Sequence, residues 1–179
     1  MKHKFVTLGK WNHVIIFDMY NGYFQNHMSK KDIPWLGVQT PFGGLRLMAR
    51  SNQGLVGMAE EFEELTANIL KEEIKDGICT KIVDNCYVGG SSQEEAASNY
   101  ERVMAKLHKA NMKITPEKTF IFPKQADVLG WTWHEGGYLK ASPHRKLALT
   151  NTRIEDIKKS KTCAAGQGYL KPFTLLHPT

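Results

Sequence analysis

The chain has 179 residues, of which 41% are hydrophobic and 23% are charged, as in ordinary soluble globular proteins. The 24 Lys and Arg against 18 Asp and Glu give a net charge of +6, which permits contact with a polyanion without requiring it. No apolar run reaches membrane-spanning length and the three cysteines follow no metal-ligand spacing, so we expect a soluble, intracellular protein with free thiols.

The first strong signal along the chain is a buried strand at residues 13 to 17, "HVIIF", which ends at Asp18. The twelve residues before it carry three lysines and predict a solvated basic tail. After Asp18, "MYNGYFQ" predicts a tight bend at Gly22. "WLGVQ" and "LRLMA" then flank "TPFGG", which predicts a hairpin.

Two helices are predicted in the middle of the chain. From Leu55 to Ile74 the apolar residues recur at helical spacing between glutamates, and Gly77 follows as a stop signal. A second apolar stripe predicts a helix from Gln93 to Ala110. Ser92 is the expected N-cap of this helix, with Glu95 three residues on, as in a capping box.

Between these helices, "KIVDNCYVGG" at residues 81 to 90 contains two short apolar runs that meet at Asp84-Asn85. The pattern predicts a hairpin, and Asp84 then has two interpretations. It forms the turn, since Asp and Asn tolerate the positive φ of tight hairpins, or it holds a metal ion at the hairpin tip. Spacing alone favours the turn.

The last part of the chain predicts a short strand at "KTFIF" and a hairpin made of "DVLGWTW" and "GYLKA" around "HEGG". Ser142-Pro143 predicts the start of a helix near residues 144 to 149, because Pro suits the first helical position. From Lys158 onwards no period is sustained, which predicts a poorly packed tail.

This order of elements predicts an α+β domain, an antiparallel sheet with helices packed on one face. In such a domain the end of the first strand can lie beside the tip of the 82-to-88 hairpin, which would make Asp18 and Asp84 neighbours. Two carboxylates held close need protons, hydrogen bonds or cations, and polymerase-type two-metal sites use such a pair. The metal interpretation of Asp84 gains weight from this placement.

Four segments in this order resemble the palm of a reverse transcriptase, an RNA-directed DNA polymerase, of the gypsy-type long-terminal-repeat retrotransposons. They are "IIFDMYNGYFQ", "QGL", "IVDNCYVGG" and "ITPEKTFIFPKQADVLGWTWHEGGYLKASPHRKLAL", and the likeness covers residues 13 to 150. The resemblance implies a palm at residues 13–141, with a truncated thumb and degenerate tail at 142–179. Residues 1–12 stand where the family has a fingers subdomain, which we expect to be missing.

The resemblance also implies a catalytic site. Asp18 and Asp84 match the catalytic aspartates that bind two Mg²⁺ ions. Asn85 stands where the family has a further aspartate at the tip, so the site charge falls from −3 to −2 and metal affinity should drop.

A second group of residues is implied by the resemblance to hold the substrates. Tyr23 matches the aromatic residue beneath the nucleotide sugar, and Lys118 matches a lysine near the nucleotide phosphates. Gln53 and Gly54, followed by Leu55, match the motif that opens the palm helix and lines the incoming nucleotide. The segment "VLGWTW" matches the primer grip, with Leu129, Gly130 and Trp131 as its grip residues.

Three functions are compatible with these residues. The first is a working polymerase that takes an RNA or DNA template-primer and deoxynucleotides, as part of a longer polyprotein with fingers, thumb and RNase H segments. The second is an inactive remnant of such a polymerase, and the third is a non-catalytic α+β domain that binds nucleic acid or protein. Asn85, the expected lack of fingers and the degenerate tail favour the second.

Overall fold

The computed structural model describes residues 2–82 and 85–143 of the chain. Its α-helices are α1 Lys2–Leu8, α2 Gly22–Gln25, α3 Met58–Ile69, α4 Lys71–Lys75 and α5 Gln93–Lys109, with a 3₁₀ turn at Ile33–Trp35. Its strands are β1 His13–Met19, β2 Gly37–Gln39, β3 Leu45–Leu47, β4 Cys79–Ile82, β5 Asn85–Gly90, β6 Ile114–Ile121, β7 Gln125–Val128, β8 Trp131–His134 and β9 Tyr138–Ala141. Within the described ranges, none of the helices has the length and apolar character needed to cross a membrane.

The central sheet has four antiparallel strands in the order β4-β5-β1-β6, so β1 lies inside it. Successive side chains of a strand point to opposite faces, and β1 is apolar on both. Phe17 and Met19 enter one hydrophobic core, whereas Val14 and Ile16 enter another on the opposite face. The strand that carries Asp18 is therefore fixed from both sides.

Helices α3 and α5 supply the first of these cores. Phe62 of α3 and Val103 and Leu107 of α5 are buried there against the sheet. This confirms the predicted α+β class, an antiparallel sheet with helices α3 and α5 packed on one face. The predicted Ser92 N-cap of α5 is present, since the Glu95 backbone N–H donates to Ser92 Oγ at 3.1 Å, while the Glu95 carboxylate accepts from the Ser91 backbone N–H at 2.8 Å.

The apolar pattern predicted a helix that starts at Leu55, but helix α3 begins at Met58. Gly54 and Gly57 have φ angles of +91° and +83°, a left-handed backbone that cannot continue a helix. The predicted single helix is also divided at Leu70 into α3 and α4.

Helix α1 and the three-stranded sheet β7-β8-β9 cover the opposite face. The prediction of a solvated tail before residue 13 is therefore wrong for the described residues. Phe5, Leu8 and Trp11 are buried, and the Trp11 indole N–H donates to the Gly77 carbonyl at 3.0 Å. The lysine content suggested solvation, but Phe5 and Leu8 are three positions apart and share one side of a helical turn.

The predicted hairpins are present at β2–β3 and at β4–β5, where Ile82 pairs with Asn85. The last hairpin differs from the prediction, because "DVLGWTW" is two strands and not one. Leu129 and Gly130 form a two-residue turn with φ angles of +47° and +78°, the left-handed pair that such turns require. The helix predicted near residues 144 to 149 and the tail from Lys158 lie outside the described residues.

Candidate active site

Asp18 lies near the end of β1, beside the end of the β4–β5 hairpin. Its cross-strand partner is Asn85 on β5, so the two side chains emerge on the same face of the sheet. This register confirms that the first strand ends beside the hairpin tip. Asp84 precedes Asn85 in the chain but lies outside the described residues, so its pairing with Asp18 stays a prediction.

The Asp18 carboxylate has a cationic partner on the neighbouring strand. Lys118 Nζ donates to Asp18 Oδ2 at 2.8 Å, and the Asp18 side chain is 15% exposed. The sequence predicted both residues as site residues but did not predict that they would contact each other.

Four of the predicted site residues line one cleft of about 170 Å³: Asp18, Tyr23, Gln53 and Lys118. They come from β1, from α2, from the segment before α3 and from β6, so only the folded chain brings them together. The remaining lining residues are Met19, Asn21, Gly22, Phe24 and Phe62. An adjoining cleft of about 320 Å³ shares Tyr23 and Gln53 and contains Gly54 and Leu55.

Tyr23 is held in this cleft by the close packing of α2 on α3. Its ring lies 5.5 Å from the Phe62 ring, centroid to centroid. The bend that the sequence placed at Gly22 is made by Asn21, which has a φ of +46°. Gly22 has a different role, since a Cβ built there would lie 2.7 Å from Phe62 Cζ.

Asn85 is exposed and lies two residues before Tyr87 on β5, on the same face of the sheet. Burial of Tyr87 raises its pKa to about 12. The phenol is therefore protonated at neutral pH.

The three predicted primer-grip residues lie apart from the lining of the Asp18 cleft. Leu129 and Gly130 form the β7–β8 turn, and Trp131 is buried with its ring centroid 6.2 Å from that of Phe5. Trp131 shares the second core with Tyr87, so this hairpin packs against the face of β5 that lies in that core. A role of these residues in holding a primer stays a prediction.

Phe62 is a cleft residue that the sequence indicated only as part of a buried stripe. It lines the Asp18 cleft, and the Lys81 ammonium lies 4.3 Å from its ring centroid. The stripe predicts burial of Phe62, but no local signal shows which buried aromatic residue will form a cleft wall.

The oxygen atoms at this site suit a hard divalent cation. Asp18 offers a carboxylate and Asn85 an amide oxygen, ligand types that Mg²⁺ accepts. Residues 2–82 and 85–143 contain no group of three or more His, Cys, Asp or Glu side chains placed to hold a metal ion. The described side chains fit part of a magnesium site, and Asp84 would have to supply the next carboxylate.

Comparisons with known proteins agree with the resemblance read from the sequence, although no family model matches the chain. The chain is 27% identical over 157 residues to the retrovirus-related Pol polyprotein from transposon opus of Drosophila melanogaster. It is 26% identical over 146 residues to the corresponding polyprotein from transposon gypsy of the same species. These alignments cover 86% and 80% of this chain but only 15% and 14% of the relatives, so the chain matches a small part of each polyprotein.

Solved structures show the same fold. The foamy viral protease-reverse transcriptase in complex with double-stranded DNA superposes with a TM-score of 0.69 at 16% identity, covering 92% of this chain and 27% of that one. The same viral protein in complex with an RNA/DNA hybrid gives a TM-score of 0.66 at 17% identity, over 94% of this chain and 22% of that one. The resemblance to a reverse-transcriptase fragment of gypsy-type elements is confirmed.

Proposed function

We propose that this chain, a relative of retrotransposon Pol polyproteins with the reverse-transcriptase fold, is a polymerase palm that has lost its own nucleotidyl-transfer activity. The observation that carries the proposal is the convergence of Asp18, Tyr23, Gln53 and Lys118 in one cleft from four separate segments. A domain with only a structural role would not require these four side chains to line the same cleft.

The described residues supply distinct parts of a nucleotidyl-transfer site. Asp18 and Asp84, with the Asn85 amide, would hold Mg²⁺. Bound there, the metal would activate the primer 3′-hydroxyl and stabilise the leaving pyrophosphate. Tyr23, braced on Phe62, offers an aromatic surface to the nucleotide sugar, and Lys118 offers a positive charge to its phosphates.

Asn85 is the reason for proposing that the chain is inactive. Its register places it opposite Asp18, where a carboxylate would face the same cation. An amide offers one neutral oxygen, so the site has one negative charge fewer against two divalent ions and a triphosphate. Weak metal occupancy follows, and with it a loss of activity.

Primer extension on an RNA template tests this proposal. The chain and its Asn85→Asp variant would each be fused to the segments that flank the aligned region in the Pol polyprotein from transposon opus. We expect extension with Mg²⁺ or Mn²⁺ only from the Asn85→Asp fusion. Its activity should fall at least 100-fold, about 2.7 kcal/mol in the barrier, when Asp18→Asn is added.

The double variant Asn85→Asp, Asp18→Asn is the matched control, because it has the same net charge as the starting chain. Extension that survives Asp18→Asn would contradict the assignment of Asp18. A folded Asn85→Asp fusion that extends no primer would show that Asn85 is not the disabling change.

The Asp18–Lys118 ion pair supports a second candidate function, a non-catalytic domain that binds nucleic acid. In such a domain the carboxylate is neutralised internally and needs no metal ion. Residues 144–179 carry seven basic and two acidic side chains, and thus +5 of the net charge of +6. Filter binding of an RNA–DNA hybrid to the unfused chain at rising salt separates the candidates, since this one requires salt-sensitive binding without added divalent ions.

A further inference from the structure

The contact between Lys118 and Asp18 lies beside an irregularity in β6. Ile16 of β1 pairs with Phe120 of β6, and a regular antiparallel ladder would then place residue 118 opposite residue 18. The structure instead pairs Asp18 with Thr115. Between these two pairs β1 has one unpaired residue, residue 17, whereas β6 has four, residues 116–119. The three additional residues of β6 form a bulge.

Two features fix the ends of this bulge, which spans residues 116–119. Pro116 has no backbone N–H, so it cannot donate a hydrogen bond to the ladder. Thr119 Oγ1 donates to the Thr115 carbonyl at 3.0 Å, which closes the bulge on itself. Lys118 lies within this bulge, and its ammonium contacts the Asp18 carboxylate at 2.8 Å.

The two partners differ in exposure. The Asp18 side chain is 15% exposed and fixed on a strand buried from both faces, whereas the Lys118 side chain is 65% exposed. Lysine has a long, flexible stem that carries a compact charge. Of the two groups, the ammonium is the one that can leave.

We propose that Lys118 is an internal counter-ion, which occupies the cation position at Asp18 until a divalent ion displaces it. This inference rests on the proposed function, because it assumes that Asp18 is a metal ligand. Displacement releases the ammonium at the wall of the same cleft, where it can meet an anionic ligand such as a triphosphate. Lys118 thus acts as a positioning residue that sets how much metal the site requires.

Binding of Mn²⁺ to the metal-free chain, followed by the electron paramagnetic resonance signal of the unbound ion, tests this role without any enzymatic assay. We expect Lys118→Met to tighten the apparent Mn²⁺ affinity about 2- to 5-fold, the range for removal of an exposed ion pair worth up to about 1 kcal/mol.

Lys124→Met is the matched control, since Lys124 is an exposed lysine just beyond β6 and its loss changes the net charge equally. Asp18→Asn reports binding at other sites. Equal Mn²⁺ affinities for the Lys118→Met and Lys124→Met variants, with binding that depends on Asp18, would overturn the counter-ion role and leave the metal site standing.

A thermal double-mutant cycle separates failure of the inference from failure of the proposed function. If no variant binds Mn²⁺ even after Asn85→Asp is added, the metal site of the proposed function is wrong. The midpoints of Asp18→Asn, Lys118→Met and the double variant then decide whether the ion pair exists in solution. Non-additive shifts support Lys118 as the partner of Asp18, and additive shifts overturn it.

Discussion

At Gly22 the side chain is a single hydrogen atom, and the Phe62 ring occupies the space beside it. This contact lets α2 approach α3 closely enough for Tyr23 to reach the Asp18 cleft. The sequence predicted that Gly22 was special but gave it the wrong role. A glycine that permits a bend and one that permits close packing look alike in sequence, because the difference lies in a partner 40 residues away.

Replacing Gly22 by Ala should destabilise the protein by about 1–3 kcal/mol, because the added methyl group overpacks the contact with Phe62. Gly9→Ala is the matched control, since a Cβ there would lie no closer than 3.5 Å to Phe5 O, an ordinary contact. Urea unfolding measures both variants. Equal stability of the two would mean that the Phe62 ring moves aside freely.

The elements that the sequence predicted best are those whose determinants are local. Helix α5 carries a sustained apolar stripe and is preceded directly by its N-cap Ser92, and both are observed. The break between α3 and α4, the α1 helix and the β6 bulge depend on contacts or register with distant segments. The predicted site residues were recognised by resemblance, and no local pattern could have predicted the ion pair between Asp18 and Lys118.

The cap of α5 predicts how stability changes with acidity. Hydrogen bonds from the Ser91 hydroxyl and the Ser91 backbone N–H lower the pKa of Glu95 below its ordinary value of 4.5. A carboxylate whose pKa is depressed by folding stabilises the protein above its unfolded pKa, and that stabilisation is lost as the pH falls through the folded value. We expect Glu95→Gln to be less stable than the wild type at pH 7, with the difference shrinking below pH 4.5.

Thermal unfolding between pH 7 and pH 3 measures this difference. Glu101→Gln, an exposed change in the middle of the same helix, is the control for the loss of one negative charge. A gap between Glu95→Gln and the wild type that stays constant with pH would show that the carboxylate contributes through its shape and not its charge.

At the scale of the whole molecule, the exposed apolar side chains of the described residues are concentrated around the β2–β3 hairpin. The β2–β3 hairpin and the turn before it expose Trp35 at 85%, Phe42 at 98% and Leu45 at 66%. Several exposed apolar side chains on one hairpin promote association between molecules. The two cores are well packed. We therefore expect the β2–β3 hairpin to be the segment that promotes aggregation.

We expect the double variant Phe42→Ser, Leu45→Thr to remain monodisperse at higher protein concentration than the wild type, with little change in the thermal midpoint. Both side chains lie in solvent, so removing them costs little packing. Static light scattering against concentration measures the effect. Val6→Ser, which removes a half-exposed apolar side chain from α1, should change it little, and equal effects of the two changes would contradict a special role of the hairpin.

The two cores on either side of the sheet can be followed by different spectroscopic signals. Three of the four tryptophans, Trp11, Trp131 and Trp133, are buried in the core beneath α1 and the small sheet, while Trp35 lies in solvent. Indole fluorescence therefore reports on that side, and the helical ellipticity reports mainly on α3 and α5 across the sheet. A denaturation curve followed by both signals shows whether the two halves of the protein melt as one unit or separately.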